Sequence, residues 1–226
     1  HANEYCYRVV ALFPDGAESY VSDEVCVHIA NDAPLIINAD VVTTNTANGT
    51  IMVRWVRPPE IDSAAFPPAY TYNLYRKSSI TSTYELVNNT PFIFQDTVEY
   101  LDHDLNTDSL SYTYRVFFLS NDSLVEKSDP ATSIYLNITS SDRTLHLAWL
   151  VQQPWNNIVY DIYRFNDEDN QWDSIAQTEN LYYTDNQLTN GKTYCYYVRA
   201  TGAYWLPDTI YPLLNRSQQK CAIPYD

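Results

Sequence analysis

His103 stands between Asp102 and Asp104, three side chains that could hold a metal ion or supply a base with an orienting carboxylate. Consecutive residues of an extended segment point in opposite directions, and Asp102 recurs as Asp185 in a second copy of the same pattern. A structural role at a strand end is therefore expected. His1, His28 and His146 are scattered, so no nucleophile, base and orienting group come together, and the chain reads as non-catalytic with no cofactor. The run Asn166-Asp167-Glu168-Asp169-Asn170 offers oxygen ligands of the kind Ca²⁺ prefers, with Asp167 and Asp169 as the candidates. It lacks the Gly and the distal bidentate Glu of an EF-hand loop, and the alternative reading is a solvated hairpin tip.

The four cysteines carry a clearer signal. Cys6 and Cys195 each follow a Tyr in an alternating segment, and Cys26 and Cys221 lie in the next such segment. Adjacent antiparallel strands bring opposed Cβ atoms to about 4.5–5.5 Å, close to what a disulfide needs. The pairs Cys6–Cys26 and Cys195–Cys221 are expected. The spacings match no zinc pattern, and disulfides would place the chain outside the cytoplasm.

Aromatic side chains supply the remaining candidates. The insert 202–215 contains Tyr204, Trp205 and Tyr211 among aliphatic residues, and Trp155 follows Pro154 in an earlier loop. An exposed loop this apolar would mark an interaction surface for protein or carbohydrate, since Tyr and Trp stack on sugar rings. Alternatively it folds back over its own domain or packs on the next one.

These residues must be held by the elements around them. Segments 50–57 (TIMVRWVR), 72–76 (YNLYR), 100–105 (YLDHDL) and 112–116 (YTYRV) recur in order as 144–150 (TLHLAWL), 160–164 (YDIYR), 183–188 (YTDNQL) and 194–198 (YCYYV). Repetition at about a hundred residues means tandem domains rather than a solenoid. Period-two alternation places strands A to G of the middle domain at 36–43, 50–56, 70–76, 84–87, 94–101, 111–119 and 132–136, with Trp55 inward on B. The third domain repeats this with Trp149 on B and its last strand at 219–223, after a linker at 136–141. Short linkers here and at 30–34 favour a semi-rigid rod.

The expected fold is all-β, as tandem antiparallel β-sandwiches. Leu188 and Tyr194, like Leu105 and Tyr112, have the spacing of a corner in which a Tyr at the start of strand F bonds back to upstream backbone. With the single Trp on strand B, this resembles the fibronectin type III (immunoglobulin-like) fold. Residues 1–31 read as the F–G hairpin of a truncated domain of this kind, with Tyr5 at its corner. Residues 32–137 and 138–226 read as two full domains.

Twenty-one Tyr and only four Gly suit pleated, half-buried surfaces. A net charge of −15 argues against nucleic acid and anionic membrane surfaces as partners. No apolar run is long enough to insert in a membrane. Neighbouring domains of a longer chain, surface polysaccharide or another protein remain.

The segments LTNGKTYCYYVRATG (188–202) and NRSQQKCAIP (215–224), with YDIYRFN, WDSIA and PPEIDSAAFPPAYTYNLYRKS (58–78), resemble a more specific group. They are similar to the region before the C-terminal sorting domain of large Bacteroidetes surface proteins described as gliding-motility-associated. The resemblance implies export by the type IX system and residence on the outer surface, with a sorting domain expected after Asp226. Each Asp followed by Ser or Thr is followed in turn by an aliphatic residue, at Ser63, Thr97, Ser109, Ser123, Ser174 and Thr209. That triplet resembles the O-glycosylation motif of the same phylum. The alternative is ordinary turn chemistry before a strand.

Overall fold

The computed structural model describes residues 3–29, 32–88, 90–205 and 209–226. β1 (Asn3–Tyr7) and β2 (Val25–Ile29) pair as an antiparallel hairpin. The middle segment contributes β3 (Leu35–Thr43), β4 (Gly49–Val56), β5 (Tyr70–Ser78), β6 (Glu85–Leu86), β7 (Phe92–Ile93), β8 (Thr97–Leu105), β9 (Tyr112–Ser120), β10 (Ser123–Lys127) and β11 (Ala131–Thr132). The last contributes β12 (Tyr135–Ser141), β13 (Thr144–Leu150), β14 (Asn156–Asn166), β15 (Gln171–Thr178), β16 (Tyr182–Asp185), β17 (Tyr194–Tyr204), β18 (Ile210–Arg216) and β19 (Lys220–Ala222).

Alternation explains where these strands sit. Along β4, Gly49, Ile51, Val53 and Trp55 are buried and the residues between them are not; along β13, Leu145, Leu147 and Trp149 take the same role. Period two is the signature of a strand with one face on a core. The inward face of β4 meets β5 and β9, where Trp55 packs edge-on against Tyr72 at 5.8 Å. Trp149 packs on Tyr160 at 5.3 Å in the second core.

Each core lies between two sheets. A three-stranded sheet, β3-β4-β8, covers a sheet ordered β10-β9-β5-β6, and β12-β13-β16 covers β15-β14-β17-β18. Strands A, B and E thus oppose C′, C, F and G in both, the tandem fibronectin type III-like architecture that the repeats lead one to expect. Both tyrosine corners are present. The Asn106 amide donates to the Tyr112 hydroxyl at 3.0 Å and the Thr189 amide to that of Tyr194 at 3.1 Å. The side chain of Tyr5, expected at a third corner, lies outside the described side chains.

Several elements differ from the sequence reading, among them strand E, which runs as β8 at Thr97–Leu105 rather than 94–101. The linker expected at 136–141 is strand β12, paired along its length with β13. Its Asn, Thr and Ser residues hide the two inward positions at Leu136 and Ile138. Strand G of the middle domain is β10 and β11, not 132–136, and β10 follows a two-residue turn in which Asn121 and Asp122 have φ of 46° and 64°. Positive φ at both central residues is what a tight hairpin requires, and Asn and Asp tolerate it. The insert 202–215 is largely a continuation of the F–G hairpin, β17 with β18, rather than an irregular loop.

Candidate functional site

The edges of the two sandwiches meet. β3 is the edge of one sheet and β18 the edge of another, and unpaired edges invite association unless they are covered. Here side chains bridge them. The Asn38 carboxamide donates to the Leu214 carbonyl at 2.8 Å and the Ala39 amide donates to Asn215 Oδ1 at 2.9 Å. The Arg216 amide and guanidinium both donate to the Asp40 carboxylate, at 2.6 Å each. Farther along, the Gln219 amide donates to Thr44 Oγ1 at 2.8 Å.

Apolar residues complete this junction. Leu213 and Trp155, both from the third domain, are buried in the core cluster of the middle one. The Tyr204 hydroxyl donates to the Ile36 carbonyl at 3.0 Å, and burial raises its pKa above the ordinary value of a phenol. Tyr204 meets Trp155 edge-on at 6.1 Å. Gly202 leaves room for that indole: a Cβ there would lie 2.6 Å from Trp155 Cδ1 and 2.8 Å from the Asn156 carbonyl oxygen.

Beside the junction opens a cleft of about 390 Å³, lined by Pro34, Asp129, Asn156 and three of the aromatic candidates, Trp155, Tyr204 and Trp205. Two of those rings are already engaged. Trp155 is 4% exposed with its indole N–H donating to Asn157 Oδ1 at 3.1 Å, and Tyr204 is anchored as described. Trp205, half exposed, is the ring that offers a face to solvent. Tyr211 is exposed and stands apart from the cleft lining.

Asp102 and His103 part company. His103 is exposed, while Asp102 turns inward to accept from Arg76 Nη1 at 2.7 Å and from the Tyr114 hydroxyl at 2.8 Å. Asp185 repeats this with Arg164 and Tyr196, each at 2.8 Å. Burial first, then the neighbouring carboxylate, pushes the phenols of Tyr114 and Tyr196 well above their usual range. These are buried polar clusters that tie strand C to E and F.

In the acidic loop, Asp169 accepts from the Asn166 carboxamide at 3.1 Å, and Asp167 lies 3.7 Å from the Lys192 ammonium. Both are turned to protein partners. Among the described residues one group of metal-ligand types clusters, Cys6, Glu24 and Cys26, and its sulfurs are bonded to each other. Cys6 faces Cys26 and Cys195 faces Cys221 in register, and both pairs form disulfides. Ser63, Thr97, Ser109, Ser123, Ser174 and Thr209 are all exposed; Asp208, which precedes the last of them, lies outside the described residues.

Sequence reasoning missed Asn38, Asp40 and Arg216 altogether. Asn215, which closes the 202–215 insert, was not singled out either, yet it is fully buried. No family model and no curated protein matches the sequence. Among solved structures, the crystal structure of chicken CNTN1 FN1-FN3 domains is 14% identical over 99% of this chain and 75% of that one, with a TM-score of 0.30. The chicken interferon gamma receptor alpha chain is 12% identical over 85% of this chain and 98% of that one, with a TM-score of 0.29.

Proposed function

We propose that the chain is a non-catalytic stalk, spacer or adhesion segment of a secreted, surface-displayed protein. The observation that carries this is the junction of β3 with β18, where side-chain hydrogen bonds, an ion pair and shared core residues fix one sandwich against the next. A spacer transmits position only if its units do not swivel, and small domains joined through a polar interface usually do. Two disulfides support an extracellular setting. Export by the type IX system and O-glycosylation are part of the proposal, supported by the resemblance and by the exposure of all six candidate hydroxyls. Its partners are then neighbouring domains of a longer chain and surface polysaccharide or protein.

A non-reducing peptide map of the native protein tests this. Linked Cys6–Cys26 and Cys195–Cys221 peptides with hexose mass on the Asp-Ser and Asp-Thr triplets are expected. Free thiols and bare hydroxyls would refute the export and modification arms together.

One observation favours a second reading, a carbohydrate- or protein-binding accessory module of a secreted enzyme. Trp205 presents a half-exposed indole to a cleft that also holds Asp129 and Asn156. On that reading, calorimetric titration with soluble polysaccharides gives an isotherm that Trp205→Ala abolishes while the melting temperature stays put. Binding that survives the substitution would remove this cleft from consideration.

A further inference from the structure

Most cations of this acidic chain are neutralised locally. Arg76 meets Asp102, Arg164 meets Asp185, Arg199 meets Asp161, Arg216 meets Asp40 and Lys220 meets Asp108. Among the described residues four cations have no ion-pair partner; Arg143 lies in the turn between β12 and β13, while Lys77, Arg115 and Lys127 all project from one surface, the outer face of β10-β9-β5-β6.

Register places them there. Leu74, Val116 and Phe118 point into the core, so Tyr75, Lys77, Arg115 and Phe117 point out. Lys127 stands opposite Phe117, Leu124 opposite Leu119, Leu86 opposite Tyr75 and Ile93 opposite Thr71. Leu86, Ile93 and Leu124 are 48%, 75% and 47% exposed. Glu85 and Glu126 stand opposite Arg76 and Phe118, on the other side of the pleat. No Asp or Glu of these four strands stands in register opposite an outward-pointing residue. The third domain differs at this very place: its outward Arg199 is bound at 3.0 Å by Asp161 of the adjacent strand, where the middle domain has Asn73 opposite Phe117.

The cations are held by aromatic rings. The Lys77 ammonium and the Arg115 guanidinium lie 5.1 and 5.7 Å from the centre of the Tyr84 ring, and the Lys127 ammonium lies 4.8 Å from that of Phe117. The Phe117 ring also lies against Tyr75, tilted by 32° at 4.2 Å between centroids. Such contacts orient a cation without cancelling its charge.

We propose that this face is a docking surface for an acidic protein segment that also carries aliphatic side chains. Charge complementarity selects the acid: three unpaired cations stand together on a chain of net charge −15. A second copy is disfavoured because the two chains repel as wholes. A saccharide would need bare rings, and those of Phe117 and Tyr84 are covered by cations. Leu86, Ile93 and Leu124 supply the apolar complement. From β10 to β6 is three strand spacings, about 14 Å, which four or five residues of extended segment would span.

The test uses the full chain, labelled for NMR, with a short synthetic peptide that alternates Asp or Glu with Leu, and with dextran sulfate as the polysaccharide probe. The peptide is expected to shift amides along β5, β9 and β10. Lys77→Glu/Lys127→Glu should weaken it by about tenfold or more, and Lys77→Gln/Lys127→Gln by less, with unchanged thermal unfolding. Shifts elsewhere, shifts indifferent to charge reversal, or tighter binding of dextran sulfate on this face would each overturn the proposal.

Discussion

Asp102→Ala is expected to cost about 3–5 kcal/mol of unfolding free energy, the loss typical of a buried ion pair broken on one side. The Asp102 side chain is 3% exposed and both of its oxygens accept from Arg76, at 2.7 and 2.8 Å, while one also accepts from Tyr114. Its removal leaves the Tyr114 hydroxyl, inside a fully buried residue, with no acceptor. Arg76 would keep Glu85, but that carboxylate is 64% exposed and repays little of the desolvation. Asp185→Ala should lose less. Arg164 is 35% exposed against 19% for Arg76, so water can take over more of its solvation.

Urea denaturation of the two variants measures the difference, and the double variant Asp102→Ala/Tyr114→Phe separates its parts. Removing the hydroxyl with the carboxylate should recover part of the loss, since an unsatisfied buried donor costs about 1–3 kcal/mol. A loss below about 1 kcal/mol for Asp102→Ala would mean that water reaches the cluster and that the pair is a surface one in its energetics.

Both clusters were within reach of the sequence. Arg76 and Arg164 end the repeated strings YNLYR and YDIYR, and Tyr114 and Tyr196 sit in YTYRV and YCYYV. Their joint recurrence with Asp102 and Asp185 was the available signal. Strands β4 and β13 were legible because a face pressed on a core must alternate. β10 was not: its five residues are exposed apart from Val125, so period two is silent, and only the Asn121-Asp122 turn announces it. The junction left no local trace. Asn38 to Leu214, Ala39 to Asn215 and Asp40 to Arg216 each span 176 residues, and alternation reports which face of a strand is inward, not which edge meets which.

That junction makes the second large prediction. Trp155→Ala removes a nearly buried ring from the place where the sandwiches share a core, and about 3–5 kcal/mol should go with it. Where the loss appears matters more than its size. The native chain is expected to unfold residues 35–222 in a single calorimetric transition, because β3, β18 and the rings between them belong to both units. In the variant that transition should split, and the Ala39 amide, which donates to Asn215 Oδ1, should lose its hydrogen-exchange protection. Gly202→Ala should act in the same direction, since its Cβ would press on the same indole. Trp205→Ala should leave both readouts unchanged, because that ring is half exposed. A variant that keeps one transition and a protected Ala39 would show that Trp155 serves only its own sandwich. The bridges at Asn38, Asp40 and Arg216 would then hold the junction alone, and the rigidity on which a stalk depends would rest on hydrogen bonds and one ion pair.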